Sequence, residues 1–130
     1  MELENECVFC QANETSDTNV ICSNETMIAI RDKYPVTRGH TLVIPRQHRG
    51  DFFDLSKEES SDLIELLHEL KQKIIDEDSS VRGFNVGANC GAEAGQTVFH
   101  CHVHLVPRRP GDSDDPTGGV RGVIPHKQKY

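Results

Sequence analysis

Histidine recurs at every second position through Phe99-His100-Cys101-His102-Val103-His104-Leu105-Val106, inside an otherwise apolar run. A period of two predicts a β-strand, whose side chains point to opposite faces in turn. The three imidazoles then share one face, and Phe99, Cys101, Val103 and Leu105 take the other. Buried imidazoles need hydrogen-bond partners, so three on one face predict the floor of an active site. Two chemistries suit them. Residues two apart on a strand are about 6.6 Å apart at Cα, so neighbouring histidines can share an ion. His100 and His104 are about twice as far apart, which makes one ion held by all three difficult. Alternatively, a neutral imidazole attacks phosphorus or a carbonyl near neutral pH while its neighbours orient it. His102, with a helper on each side, is the natural nucleophile.

The loop before the strand supports the second chemistry. Gly91, Gly95, Gln96 and Thr97 supply open backbone, an amide and a hydroxyl, donors suited to phosphate oxygens. Far upstream, Cys7-x-x-Cys10 has the spacing of a metal half-site, or is simply two thiols.

These groups need a scaffold. Met27-Ile28-Ala29-Ile30, Thr41–Ile44 and Gly83–Ala88 are further strand candidates, with Pro45 and Pro107 as strand ends. Tyr34–His40 reads as a turn. Asp54–Asp78 is the main helix: Ser56 and Glu59 form a capping box, and Leu63, Leu66, Leu67, Leu70 and Ile74 make one apolar stripe. His68 on that helix has no chemical neighbour and is structural. One substantial helix among antiparallel strands predicts an α+β domain. Residues 1-110 form that domain, and 111-130, rich in Gly, Pro and Asp, an extended tail.

At 130 residues with no Trp, the chain suits a single core filled by aliphatic side chains. Five cysteines do not pair evenly, and neither a signal peptide nor a membrane span stands out. A reducing, cytoplasmic setting follows, with no membrane partner. The net charge of -7 argues against a nucleic-acid polymer as partner. Arg31, Lys33, Arg38, Arg46, Arg49, Arg108, Arg109 and Arg121 nevertheless flank the strands of the site, and could attract a small anion.

The segment Ala94-Gly95-Gln96-Thr97-Val98-Phe99-His100-Cys101-His102-Val103-His104-Leu105-Val106-Pro107-Arg108 resembles the signature of the histidine triad (HIT) family. The likeness extends to Gly39-His40-Thr41-Leu42-Val43-Ile44-Pro45, to Asp32 eight positions before His40, and to Asn89 eleven before His100. The resemblance implies a HIT-like fold, an antiparallel sheet of about five strands with helices packed on it, and a homodimer. It implies hydrolysis or transfer of a nucleoside monophosphate, AMP by family expectation, from a phosphoramidate, dinucleoside polyphosphate or related anhydride. His102 then resembles the nucleophile, His104 and His40 its polar partners, and Asp32 the ribose ligand. Asn89, Gln96 and Thr97 resemble contacts to phosphate and leaving group. The Leu-Val-Pro-Arg ending with Arg109 is closer to the dinucleoside-polyphosphate branch, whereas the Cys pair is closer to bacterial-type members.

Members with this Cys pair often bind zinc, adding a histidine after the strand that corresponds to Thr41–Ile44 and the first of the triad. The corresponding ligands here are Cys7, Cys10, His48 and His100, a closed structural site that leaves His102 for chemistry. Cys22, Cys90 and Cys101 have no partner by spacing. Two other readings stay open: a nucleotide-binding regulatory module with little turnover, and a metal-dependent hydrolase with the triad as ligands. In the tail, Gly118–Pro125 offers either a surface strand or an arginine, Arg121, that reaches the leaving group.

Overall fold

A computed structural model describes residues 7–14 and 19–130, with the side chains of 12–14 left aside. Five strands form one antiparallel sheet: β1 (Val20–Ser23), β2 (Met27–Arg31), β3 (Thr41–Pro45), β4 (Gly83–Gly87) and β5 (Val103–Arg108), in the order β1-β2-β3-β5-β4. A short helix, α1 (Val8–Glu14), precedes β1, and the long helix α2 (Lys57–Glu77) joins β3 to β4. The α+β reading and the five-stranded sheet are both borne out.

The two-residue period sorts the sheet into two faces. Met27, Ala29, Val43, Val103 and Leu105 pack with Leu63, Leu66 and Leu70 of α2 and with Cys101. Each buried leucine there is worth about 1.5–3 kcal/mol. The other face carries Ile28, Ile30, Leu42 and Ile44, with Phe9 of α1 and Val20 against them. Because both faces are covered, β2 and β3 are buried at consecutive positions and read as continuous apolar runs.

Several boundaries differ from the sequence reading. The long helix starts at Lys57 rather than Asp54, because Asp51 caps a separate 3-10 turn over Phe52–Asp54 and Leu55 is extended. Ser56 and Glu59 form the expected capping box. The histidine strand begins only at Val103. Its last pairing with β3 is Val43↔Val103, and the Cys101 N–H instead donates to the carbonyl of Arg49. His100 and His102 therefore sit on a tethered lead-in segment, and Phe99 is 42% exposed rather than in the core. Pro107 does not end the strand; it lies in register with Phe84 of β4. The short strand β1 escaped the sequence reading, since four residues ending in Cys-Ser carry little alternation. The tail forms a 3-10 turn at Gly119–Val123 rather than a strand.

Candidate functional site

The parity that builds the core also gathers the polar groups. Asp32 continues the register of Ile28 and Ile30, His40 that of Leu42 and Ile44, and His102 leads into His104, which lies opposite Leu42. Asp32, His40, His102 and His104 therefore share the face bearing Phe9, away from α2. The His102 and His104 rings are 5.3 Å apart between centroids, and those of His104 and His40 5.2 Å.

Hydrogen bonding fixes the tautomer of each ring. His102 Nδ1 lies 2.9 Å from the carbonyl oxygen of His100. A carbonyl only accepts, so Nδ1 carries the proton and Nε2 keeps a lone pair. The Val36 N–H donates to His40 Nδ1 at 3.1 Å, which puts the His40 proton on Nε2. His40 Nε2 is 2.9 Å from His104 Nδ1 and donates to it, leaving the His104 proton on its own Nε2. Asp32 stands beside this pair, with Oδ2 3.4 Å from His40 Nε2 and 4.0 Å from His104 Nδ1. Its Oδ1 accepts from the Tyr34 N–H at 2.7 Å. Burial lowers the pKa of both His40 and His104; the neighbouring rings lower His104 further, and Asp32 pulls each the other way. Both are neutral at pH 7.

A second cluster lies next to the first. Cys7 Sγ, Cys10 Sγ, His48 Nδ1 and His100 Nδ1 all fall within 4.8 Å of one another. His100 Nε2 donates to the Pro45 carbonyl at 2.9 Å, so Nδ1 is the unprotonated nitrogen. Three ligand atoms converge on it: Cys7 Sγ at 3.4 Å, Cys10 Sγ at 3.4 Å and His48 Nδ1 at 3.3 Å. One lone pair cannot satisfy three neighbours by hydrogen bonding, but it can bind one central cation. Tetrahedral zinc with bonds of about 2.0 Å to nitrogen and 2.3 Å to sulfur has ligand–ligand edges of roughly 3.3–3.8 Å. The donor set and spacing fit such an ion.

Asp32, His40 and His104 also lie close enough to hold a metal. The Val36 N–H argues against it, because it occupies Nδ1 and keeps a proton on the Nε2 that would have to ligate. This trio is a hydrogen-bonded network. The triad does not converge as a ligand set: His100 faces the thiols, while His102 and His104 face the network.

The remaining expected residues surround the loop before His100. Gln96 is buried, and its side chain is spent on the loop itself. Its Nε2 donates to the carbonyls of Gly50 and Val98, and its Oε1 accepts from the Gly91 N–H. Thr97 is exposed. Asn89 lies beside the loop, with Nδ2 4.0 Å from where a Cβ on Gly95 would stand. Gly95 has φ +93, a left-handed conformation that favours glycine. A cleft of about 570 Å³ runs from Asp32 and His40 toward the end of α2, with Arg31, Arg38, Ile74, Glu77 and Arg109 among its lining; His102 and His104 do not line it.

Most of the flanking arginines are committed elsewhere. Arg38 and Arg109 both bind Asp78 at 2.9 Å, Arg108 binds Asp112 at 2.8 Å, and Arg46 donates to the Asn24 carbonyl at 3.0 Å. Arg121 donates to the Gln128 carbonyl of its own tail and lies over Tyr130. Arg38, Arg109 and Arg108 are thus paired with acids, whereas Arg46 and Arg121 keep their charge and are held by carbonyls. His68 is exposed on α2, remote from both clusters in the fold. Burial pushes the Cys101 thiol up to about 12, so it stays a neutral core group.

Sequence reasoning missed the supports. Arg49 Nε donates to both carboxylate oxygens of buried Glu59 at 3.0 and 3.1 Å, while its carbonyl holds the Cys101 N–H between His100 and His102. The capping-box glutamate was a visible signal, but its second bond was not. Phe9, between the two cysteines, packs on His102 with centroids 5.0 Å apart.

An antiparallel α+β domain with a neutral histidine network on one sheet face and a Cys/His metal-ligand cluster beside it is a histidine-triad architecture. The HIT domain family model matches residues 13–111, and the chain belongs to that family. An uncharacterized HIT-like protein of Saccharolobus solfataricus is 35% identical over 127 residues, 95% of this chain and 86% of its own length. The crystal structure of a Zn-bound histidine triad family protein from Mycobacterium smegmatis is 36% identical with TM-score 0.77, covering 85% of this chain and 81% of that one. A hypothetical histidine triad nucleotide-binding protein from Sulfolobus tokodaii is 34% identical with TM-score 0.73, covering 81% and 70%.

Proposed function

We propose that this protein transfers or hydrolyses a nucleoside monophosphate through a covalent nucleotidyl-histidine intermediate on His102. The observation that carries the reading is the bond from His102 Nδ1 to the His100 carbonyl, which leaves a lone pair on Nε2 for attack. Histidine-triad relatives include a protein described as nucleotide-binding, which supports a nucleotide as the electrophile.

In this scheme His102 Nε2 attacks the α-phosphorus and the bond to the leaving group breaks. His104, protonated on Nε2, donates toward the departing atom, and His40 holds it in that tautomer. Water then attacks phosphorus, the bond to His102 breaks, and the nucleoside monophosphate leaves. Asp32, beside His40 and His104, accepts from ribose hydroxyls. Thr97, Asn89 and the backbone that Gln96 braces meet the phosphoryl oxygens. Zinc held by Cys7, Cys10, His48 and His100 supplies no step; when bound, it ties α1 to the segment leading into β5.

We read residues 111-130 as an appendage to the 1-110 domain, and the assembly as a homodimer. Supporting the latter, β4 forms a sheet edge, and Phe84 and Val86 line an apolar groove with Leu67 of α2. No helix among the described residues is long and apolar enough to cross a membrane, in keeping with a cytoplasmic enzyme.

The test is a panel of adenosine phosphoramidate, dinucleoside polyphosphates and ADP-linked sugars, with wild type and His102→Ala. Release of AMP by wild type, lost in the variant, with net retention at a chiral phosphorothioate, is expected. Inversion, or unimpaired turnover by His102→Ala, would sink the covalent scheme. Tight nucleotide binding without turnover of any substrate would favour the regulatory-module reading.

A further inference from the structure

Phe9 stands where the two clusters meet. It lies between the ligand residues Cys7 and Cys10 on α1, a helix of seven residues. A helix this short is not stable alone and depends on what docks it. Its docking rests on the thiols at His100 and His48, and on the Phe9 ring against the patch of Ile28, Ile30, Leu42 and Ile44. That ring touches two imidazoles. It meets His100 edge-on, with centroids 5.9 Å apart at 80°, and leans on His102 at 5.0 Å and 56°. A further restraint on His102 is its bond to the carbonyl of His100, also a cluster residue. Two of the groups that orient His102 thus hang from the Cys/His cluster, and the His104 ring, 5.3 Å away, is the third among the described residues.

We propose that Phe9 is a positioning residue through which the metal-loaded cluster fixes the His102 imidazole. The inference rests on the reading of His102 as nucleophile and of the cluster as a zinc site. With the cluster closed, α1 is docked and the Phe9 ring packs against the imidazole, so that Nε2 keeps one orientation. With the cluster open, the tether of α1 is gone, and His102 keeps the edge contact with His104 and a bond to a carbonyl on a loosened segment. Metal occupancy then sets the rate of nucleotidyl transfer although no ligand touches the substrate, an orientation effect of the kind that small displacements make large.

The test uses the full chain loaded with Zn²⁺, stripped by chelation and reloaded, alongside Phe9→Ala and Phe9→Leu. Imidazole ¹⁵N spectra report the tautomer of each histidine without requiring turnover. Loaded wild type is expected to give one sharp Nδ1-protonated pattern for His102. Both stripping and Phe9→Ala should broaden it or mix its tautomers, with His40 and His104 unchanged, and reloading should restore the stripped protein. Phe9→Ala should still bind one Zn²⁺ per chain and lose about tenfold or more in kcat with little change in KM, while Phe9→Leu, which keeps the bulk, recovers part of that loss. An unchanged His102 pattern in the stripped protein, or a Phe9→Ala effect confined to KM, would overturn the proposal. Failure of wild type to turn over any nucleotide would instead strike the proposed reaction, and leave the spectra to decide the coupling.

Discussion

His40 donates from Nε2 to Nδ1 of His104 across 2.9 Å, and the direction of that bond is set by the backbone amide of Val36 on the far side of His40. One peptide N–H thereby fixes the protonation pattern of two rings. It also separates the site into groups that manage protons and groups that can ligate a metal.

Replacing His40 with Ala frees His104 to adopt either tautomer. Turnover of the best substrate in the panel is expected to fall about 10²-fold, chiefly in kcat, the scale of a lost acid–base alignment. Steady-state kinetics with imidazole ¹⁵N spectra of His104 check it; a single Nε2-protonated His104 in the variant would contradict the assignment.

The same rings make stability depend on pH. Folding holds His40 and His104 below the ordinary value of 6.5, mainly through burial. Between that value and the folded-state values the unfolded chain binds more protons, so unfolding is favoured there. This contribution is complete above about pH 7.5 and is lost as pH falls through about 6.5 toward the folded values. Urea midpoints across this range should decline toward acid, with a shallower slope in His40→Asn; identical slopes would refute the linkage.

Loss of the Cys/His cluster should be costly. Cys10→Ser or chelation is expected to release about one zinc per chain and to lower stability by several kcal/mol, roughly 10 °C or more in Tm. Metal analysis and thermal melts of untreated, stripped and reloaded protein measure both. A preparation free of zinc that melts at the same temperature would rule out a structural metal.

Glu59 caps α2 and anchors Arg49, whose carbonyl holds the Cys101 N–H. Glu59 is buried, and Arg49 is 38% exposed, so solvent softens the loss of the pair. Glu59→Ala should cost about 2–3 kcal/mol and also slow turnover, because the loop over the histidine segment loosens. Denaturant midpoints and kcat together check it; loss of stability alone would mean that the loop does not reach the site.

Much of this protein was legible one residue at a time. The two-residue period of β2, β3 and the histidine run, the heptad-like leucines of α2 and the Ser56–Glu59 cap are local rules, and local steric and capping chemistry decides them. The histidine spacing pointed to a polar face on an apolar strand, and the Cys-x-x-Cys spacing to a pair of thiols able to hold a metal. Spacing could not say where the histidine strand loses its ladder, because that depends on Arg49 intercepting the Cys101 amide. It could not show that Arg38 and Arg109 pair with Asp78 and Arg108 with Asp112, or that Gln96 spends its amide on Gly50 and Val98. The sequence already assigned unequal roles to the three histidines, but it could not assign their tautomers. Their tautomers are set by Pro45, by the His100 carbonyl, and by Val36 acting through His40. Except for the carbonyl of His100, those partners lie more than fifty positions away, and only folding brings them within hydrogen-bonding distance.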